Sequence, residues 1–243
     1  MGYPGPCGAS FLQYAHLDRI VTPAAPPVYS RGFTERFALL PHSYYVSDYA
    51  ASWPQLLQPP PPSADSLPTD DALWCSLNQL PKLDPELFSS WLNALGRAAG
   101  MGGGGRSGGG GAAARLWLLR FPAAAESHLR REAAAHPSPP ARRRLLLLST
   151  VAYEAHLRRA AHCDLFVDSR LCNAHTSATD ALWAGTPLLT LPGETQTARV
   201  AASLLAAVGL PPLAAPSLRA CEDGLVALAG SGGRSGRPAI ARG

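Results

Sequence analysis

Five short, mostly apolar runs recur along the middle of the chain: 72–77 (ALWCSL), 115–121 (RLWLLRF), 145–149 (LLLLS), 164–168 (DLFVD) and 188–191 (LLTL). Each is followed by a segment whose apolar residues return every three or four positions, the spacing of a helix with one buried face. Behind the first run, 84–95 (DPELFSSWLNAL) starts with Asp84 as N-cap and Pro85 in the first turn. An Ala/Arg/Glu-rich helix to about 135 follows the second run, and a helix over 153–161 follows the third. Helices over 176–184 and 195–208 close on Gly185 and Gly209, residues suited to the left-handed turn that ends a helix. Strands that are apolar throughout, rather than alternating, are buried on both faces. The pattern therefore predicts a doubly wound α/β lobe with a parallel, Rossmann-like sheet over roughly 70–215.

Composition changes this picture at the edges. Gly 23 and Pro 24 gather in 58–62 (QPPPP), 101–111 (MGGGGRSGGGG) and the tail from 230. These read as linker, loop and partly disordered tail, because so many glycines cannot offset the entropy of ordering. The first 60 residues are aromatic, Pro-rich and irregular, with no complete βαβ unit. With 21 basic against 17 acidic residues the net charge is +4, too small to point to nucleic acid. Cys7, Cys75, Cys163, Cys172 and Cys221 are odd in number and never spaced C-x-x-C, so no disulfide framework or zinc site is expected. The start MGYPGPCGAS lacks a basic-then-apolar leader, and no stretch reaches about 18 apolar residues. The expectation is a cytoplasmic and/or nuclear protein without membrane contact.

In an open parallel sheet, ligands bind beyond the carboxyl ends of the strands. The turn 78–82 (NQLPK) carries Lys82, the only lysine among the 21 basic residues, which can reach a phosphate as a mobile point charge, and Gln79, which offers an amide. A solvated surface lysine fits that turn equally well. The turn 172–177 (CNAHTS) opens into a helix whose first amides are unpaired and carry partial positive charge. Thr176, Ser177 and His175 add donors there, and Asp180 can accept from ribose hydroxyls; plain capping by Thr176 is the alternative. On the helix after the third run, His156 and Arg159 are i, i+3 neighbours that could pack on a flat base, or sit on a bland surface. There is no G-x-G-x-x-G, no P-loop, no Asp-x-Asp and no G-x-S-x-G. What remains is a diphosphate held without a metal by helix amides, hydroxyls and one lysine.

The run 171–187 (LCNAHTSATDALWAGTP) closely resembles the nucleotide-sugar motif of protein O-linked N-acetylglucosamine transferases, particularly the plant SECRET AGENT-like members. Further similar motifs occur in the family's order: GYPG…GAS at 2–10, LPHSYYVSDY at 40–49, LNQLPKLDPELF at 77–88, LWLLRFPAAAE at 116–126, HLRRAAHCDLFVDSRLCNAHT at 156–176 and LPGETQTARVAASLL at 191–205. The resemblance implies the C-terminal lobe of a GT-B glycosyltransferase over 61–215, a remnant of the N-terminal catalytic lobe and a linker in 1–60, and a tail in 216–243. It implies inverting, metal-independent transfer of GlcNAc from UDP-GlcNAc to Ser/Thr hydroxyls of intracellular proteins. Lys82 would stabilise the leaving UDP with Gln79 beside it. Val151, Ala152, Tyr153, His156 and Arg159 would surround the uracil; His175, Thr176 and Ser177 would hold diphosphate and sugar, and Asp180 the ribose. Tyr153 stands where many members carry lysine, Pro81 replaces an aromatic, and Ser177-Ala178 replaces Thr-Gly. The family's tetratricopeptide repeats are not in this chain, which starts near the end of the family's first catalytic lobe. A catalytically inactive nucleotide-binding or interaction protein is the alternative function. Either way, the amine of Lys82 and the amides opening 176–184 should converge on one pyrophosphate.

Overall fold

The computed structural model describes residues 14–21, 33–34, 36–54, 71–101 and 114–230. The 58–62 linker, the 2–10 motif, the tail beyond 230 and all of the expected 101–111 loop except Met101, which instead ends a helix, lie outside them. Near the start, β1 (Tyr14–Asp18) pairs in parallel with β2 (Arg36–Leu40), and the short α1 (Tyr49–Ser52) follows. The main lobe then runs β3 (Ala72–Ser76), α2 (Pro85–Met101), β4 (Ala114–Leu119), α3 (Ala125–Ala135), α4 (Pro139–Arg143), β5 (Leu145–Leu148) and α5 (Tyr153–Ala160). It continues with β6 (Leu165–Val167), α6 (Thr176–Trp183), β7 (Leu188–Leu189), α7 (Val200–Ala207) and α8 (Leu218–Gly230). All pairings in the five-stranded sheet are parallel, in the order β5-β4-β3-β6-β7. This is the doubly wound Rossmann-like sheet that the apolar runs predict.

Alternate residues of each strand feed two separate cores. Trp74, Leu116, Leu118, Leu165 and Val167 pack with α2 and α8 on one face. Leu73, Cys75, Trp117, Phe166 and Leu188 pack with α6 and α7 on the other. Trp91 and Trp117 bury their indole N–H groups with no partner among the described residues. Removing an aromatic ring of about 150–250 Å² from water contributes roughly 4–6 kcal/mol, which exceeds the 1–3 kcal/mol that an unmade hydrogen bond costs.

Differences from the sequence-based elements have local causes. The helix expected over 195–208 is split: Gln196–Ala198 forms a 3-10 turn, and Arg199 leaves helical geometry at φ −131°. There its guanidinium bridges the carbonyls of Gly193 and Ile20. Helix α8 extends the lobe to Gly230, with Cys221, Leu225 and Val226 buried in the α2 core. Gly185 and Gly209 do close α6 and α7, at φ 83° and 76°. The β1–β2 pair docks on α7 through Asp18, whose carboxylate accepts the N–H groups of Ile20, Val21 and Tyr44 and the hydroxyl of Ser203. Among the described residues, no helix is long and apolar enough to cross a membrane.

The cysteines also depart from expectation. Cys75 on β3 and Cys163, just ahead of β6, form a disulfide across 88 residues, with both side chains wholly buried. Their spacing hides this, because the two positions become neighbours only when β6 returns to lie beside β3. Closing so long a loop should stabilise the fold by ~2–4 kcal/mol. Reductant should therefore lower the urea midpoint of the parent and leave a Cys75→Ala/Cys163→Ala variant unmoved; equal sensitivity in both would show that the bridge contributes nothing.

Candidate functional site

The strand order places a crevice between β3 and β6, where the chain reverses its direction of growth across the sheet and the two exit loops part. Three cross-links tie those loops together. Asn78 Nδ2 donates to Asp168 Oδ1 (3.2 Å) and Ser169 Oγ (3.1 Å). Lys82 Nζ donates to the carbonyl of Asn173 at 2.9 Å. Arg170 grips Asp84 through Nε and Nη2, at 2.9 and 2.8 Å, and also reaches Glu86. Burial works to raise the pKa of Asp84, but the Arg170 guanidinium and the Leu87 N–H outweigh it and hold the carboxyl below its usual range. That carboxylate also caps α2, as the sequence suggests, by accepting the Leu87 N–H at 3.1 Å.

The loop from β6 to α6 winds around one buried carboxylate. Asp168 is 1% exposed; its Oδ1 accepts the N–H groups of Ser169 (2.8 Å) and Ala174 (2.6 Å), and its Oδ2 accepts the Thr190 hydroxyl (2.7 Å). Burial raises its pKa to about 6, against the pull of these donors and of the Lys82 charge. His175 ends the loop, buried, with Nε2 3.3 Å from the Thr197 carbonyl. Burial, helped by the nearby Lys82 charge, pushes the pKa of His175 down and keeps the ring neutral at pH 7. Its carbonyl accepts the amides of Ala178 and Thr179. The amides of Thr176 and Ser177 stand ahead of them in the open first turn of α6, where the helix dipole favours an anion. Asn78 Oδ1 and Asn173 Oδ1 are buried without a hydrogen-bond partner among the described residues. Each such atom costs about 1–3 kcal/mol, a cost that functional sites commonly carry.

Farther along α6, Asp180 is 3% exposed. Its Oδ1 accepts from the hydroxyls of Tyr49 (2.5 Å) and Tyr153 (2.7 Å), and His156 Nε2 lies 3.7 Å from Oδ2. Burial and the Asp180 charge push Tyr153 up to about 12, with the Tyr49 hydrogen bond opposing, so this phenol remains a neutral donor. Tyr45 shares a hydrogen bond with the Thr176 hydroxyl, and Tyr49 stacks on Trp183 with centroids 5.7 Å apart.

The structure thus brings Lys82, His175, Thr176 and Ser177 to one end of the crevice, and Tyr153, His156 and Asp180 to the other. Gln79 is exposed beside Lys82, and its carbonyl accepts the Lys82 N–H. Val151 and Ala152 are exposed at the start of α5. Arg159 turns elsewhere: it is 7% exposed and its Nη1 donates to the carbonyl of Ser149, which fastens the exit of β5. Asp168, Asn173 and Thr190 carry no local signal in the sequence, because no pattern marks a carboxylate at a strand end as a hub, and Asn78 stands out only as an amide in the turn with Lys82. Tyr45 and Tyr49 were missed because they lie 131 residues from the groups they meet.

The lobe is thus a parallel α/β sheet with its polar loops at the strand-order reversal and an ammonium close to a helix N-terminus. Residues 62–232 match glycosyl transferase family 41, and the chain belongs to that family. It is 38% identical over 214 residues to the probable UDP-N-acetylglucosamine–peptide N-acetylglucosaminyltransferase SEC of Arabidopsis thaliana, a match covering 86% of this chain and 20% of that protein. A Caenorhabditis elegans UDP-N-acetylglucosamine–peptide N-acetylglucosaminyltransferase is 37% identical over 149 residues, covering 61% of this chain and 12% of the relative. The chain therefore spans a fifth or less of the length of these curated relatives. Among solved structures, a mutant of the Thermobaculum terrenum O-GlcNAc transferase superposes with a TM-score of 0.66 at 25% identity, over 89% of this chain and 37% of that one. The fold is that of the C-terminal lobe of a GT-B enzyme.

The buried Asp168 makes a pH prediction. The folded chain holds this proton more tightly than the unfolded chain, so the group's contribution to stability is present below its ordinary 3.8 and is lost as pH rises through about 6. In urea melts at pH 4 and pH 7, the parent should lose about 2 kcal/mol relative to Asp168→Asn across that span. Parallel behaviour of the two proteins would show that the carboxyl titrates normally.

Proposed function

We propose that this lobe binds the donor of a protein O-GlcNAc transferase, UDP-GlcNAc, and supports inverting transfer of the sugar to Ser or Thr hydroxyls of acceptor proteins. The single observation that carries the reading is the contact of Lys82 with the carbonyl of Asn173 at 2.9 Å, two residues ahead of His175. Lys82 and Asn173 are 91 residues apart in the chain, and their contact draws the ammonium toward the opening amides of α6. A pyrophosphate seated there would replace the Asn173 carbonyl as partner of Lys82 and lie against Thr176 and Ser177. Family membership and the Arabidopsis relative, a probable UDP-N-acetylglucosamine–peptide N-acetylglucosaminyltransferase, support this choice of sugar and of a polypeptide acceptor.

Breaking the anomeric bond adds negative charge to the departing diphosphate, and a preorganised cation beside it lowers the barrier. Losing one such donor commonly costs 10²–10³ in rate, about 3–4 kcal/mol. In this reading Lys82 and the helix amides meet that charge and no metal is required, so chelator should leave donor binding unchanged. Uracil would lie along Val151, Ala152, Tyr153 and His156, with the ribose toward Asp180. The reading places the protein in the cytoplasm and/or nucleus, where its acceptor proteins reside.

Calorimetry with UDP tests the binding half. The parent should release heat saturably and Lys82→Ala should bind at least tenfold more weakly, while Arg131→Ala on the exposed face of α3 should match the parent. In a transfer assay with a Ser/Thr peptide, Lys82→Ala should reduce turnover by 10²–10³. Turnover within threefold of the parent would remove Lys82 from the mechanism.

A further inference from the structure

We infer that Asp168 is the positioning residue of the diphosphate site: by gathering three donors on Oδ1 it folds the 169–175 loop into the shape that presents the Asn173 carbonyl to Lys82 and aims the first turn of α6 into the crevice. The inference rests on the diphosphate reading above for what the loop binds, but the geometry of Asp168 stands by itself. Those donors come from three places. The Ser169 N–H starts the loop, the Ala174 N–H ends it, and the Asn78 amide reaches across from the turn after β3 that leads to Lys82. One oxygen atom thus fixes both ends of the loop and its distance from the opposite wall. Inside the loop the same shape is continued by Ser169, whose hydroxyl donates to the Cys172 carbonyl at 2.7 Å while its own carbonyl accepts Asn173 Nδ2 at 2.7 Å. Asn173 is thereby held with its backbone oxygen toward Lys82.

The second carboxylate oxygen has a different task. Among the described residues, Oδ2 accepts the Thr190 hydroxyl, from just past the end of β7. A hydroxyl can donate or accept. An amide at position 168 would therefore keep all three bonds to Oδ1 and let Thr190 turn round to accept from the new NH₂. The titratable groups facing this carboxylate are the Lys82 ammonium from the turn after β3 and the Cys221 thiol from α8, which burial and the Asp168 charge hold neutral. Position 168 thus needs an acceptor of this shape more than it needs a charge, and the two variants at that site should behave in opposite ways.

Because Lys82 is the only lysine in the chain, lysine-selective isotope labelling gives one side-chain spin system that reports the loop without any ligand. In the parent and in Asp168→Asn, the Lys82 side-chain signals should be displaced from free-lysine values. In Asp168→Ala they should collapse onto those values. Titration of UDP-GlcNAc into the full chain should follow the same order: Asp168→Asn within threefold of the parent, and Asp168→Ala at least tenfold weaker. Should Asp168→Ala fail to fold, Asn78→Ala decides. It removes only the cross-wall bond, and it should move the Lys82 signal part of the way and weaken binding about three- to tenfold. An unmoved Lys82 signal in the folded variant, or an Asp168→Asn protein as altered as Asp168→Ala, would overturn the proposal. Absence of UDP-GlcNAc binding by the parent, with Lys82 displaced as expected, would count against the diphosphate reading and leave the role of Asp168 in shaping the loop supported.

Discussion

The reversal of strand order between β3 and β6 is the constraint on which the rest of the molecule depends. A parallel sheet needs a crossover for every strand, and here the chain first adds β4 and β5 on one side and then returns to add β6 and β7 on the other. The exits of β3 and β6 are consequently adjacent but lead their chains apart. Polar loops can face each other there without meeting a covering helix. Burial of the strands on both faces holds this arrangement. Trp74, Cys75 and Phe166 belong to the two cores, and with β3 and β6 fixed in register the loops have little freedom in where they begin.

Electrostatics then decides how the loops end. Arg170 is committed to Asp84 and Glu86, so it acts as a brace between the β6 loop and α2. Lys82 is different in kind. Its partner is a neutral carbonyl, a weaker partner for an ammonium than a carboxylate or a phosphate. This cation is held by a neutral acceptor near the α6 amides, and Asn78 Oδ1 and Asn173 Oδ1 are buried there without a hydrogen-bond partner among the described residues.

Much of this was legible in the sequence. The apolar runs gave the strands, Asp84-Pro85 gave the start of α2, and Gly185 and Gly209 gave the ends of α6 and α7, because each of these signals is local and has a steric or capping cause. Lys82 and the 175–177 turn could be singled out because strand-end loops are where ligands bind and a lone lysine is conspicuous. What stayed hidden was everything that depends on two distant segments. Cys75 and Cys163 look unpaired at a separation of 88 residues. Arg159 reads as a neighbour of His156 on a helix face, yet its length lets it turn inward to a strand-end carbonyl. Asp168 reads as the polar end of an apolar run, and only the folded loop shows it accepting donors from the loop that follows, from β7 and from the β3 exit.

The aromatic segment ahead of the main lobe bears on how a nucleotide would fit. Asp180 is the residue that the proposed function gives to the ribose, and its Oδ1 is shared by Tyr49 and Tyr153. The two phenols are not equivalent. Tyr49 is 5% exposed, stacked on Trp183 and bonded also to Thr179, so displacing it would open the small core it shares with Leu157. Tyr153 is 43% exposed at the first turn of α5 and can swing away at little cost in buried area. A ribose hydroxyl would therefore take the place of Tyr153 on the carboxylate while Tyr49 keeps Asp180 oriented. The same logic applies to Tyr45, which holds the Thr176 hydroxyl at the opposite end of the crevice. The segment around Tyr45–Tyr49 thus forms a wall that keeps the polar face of α6 hydrogen-bonded without nucleotide, and the residue that must yield is the one whose removal from its contact uncovers least.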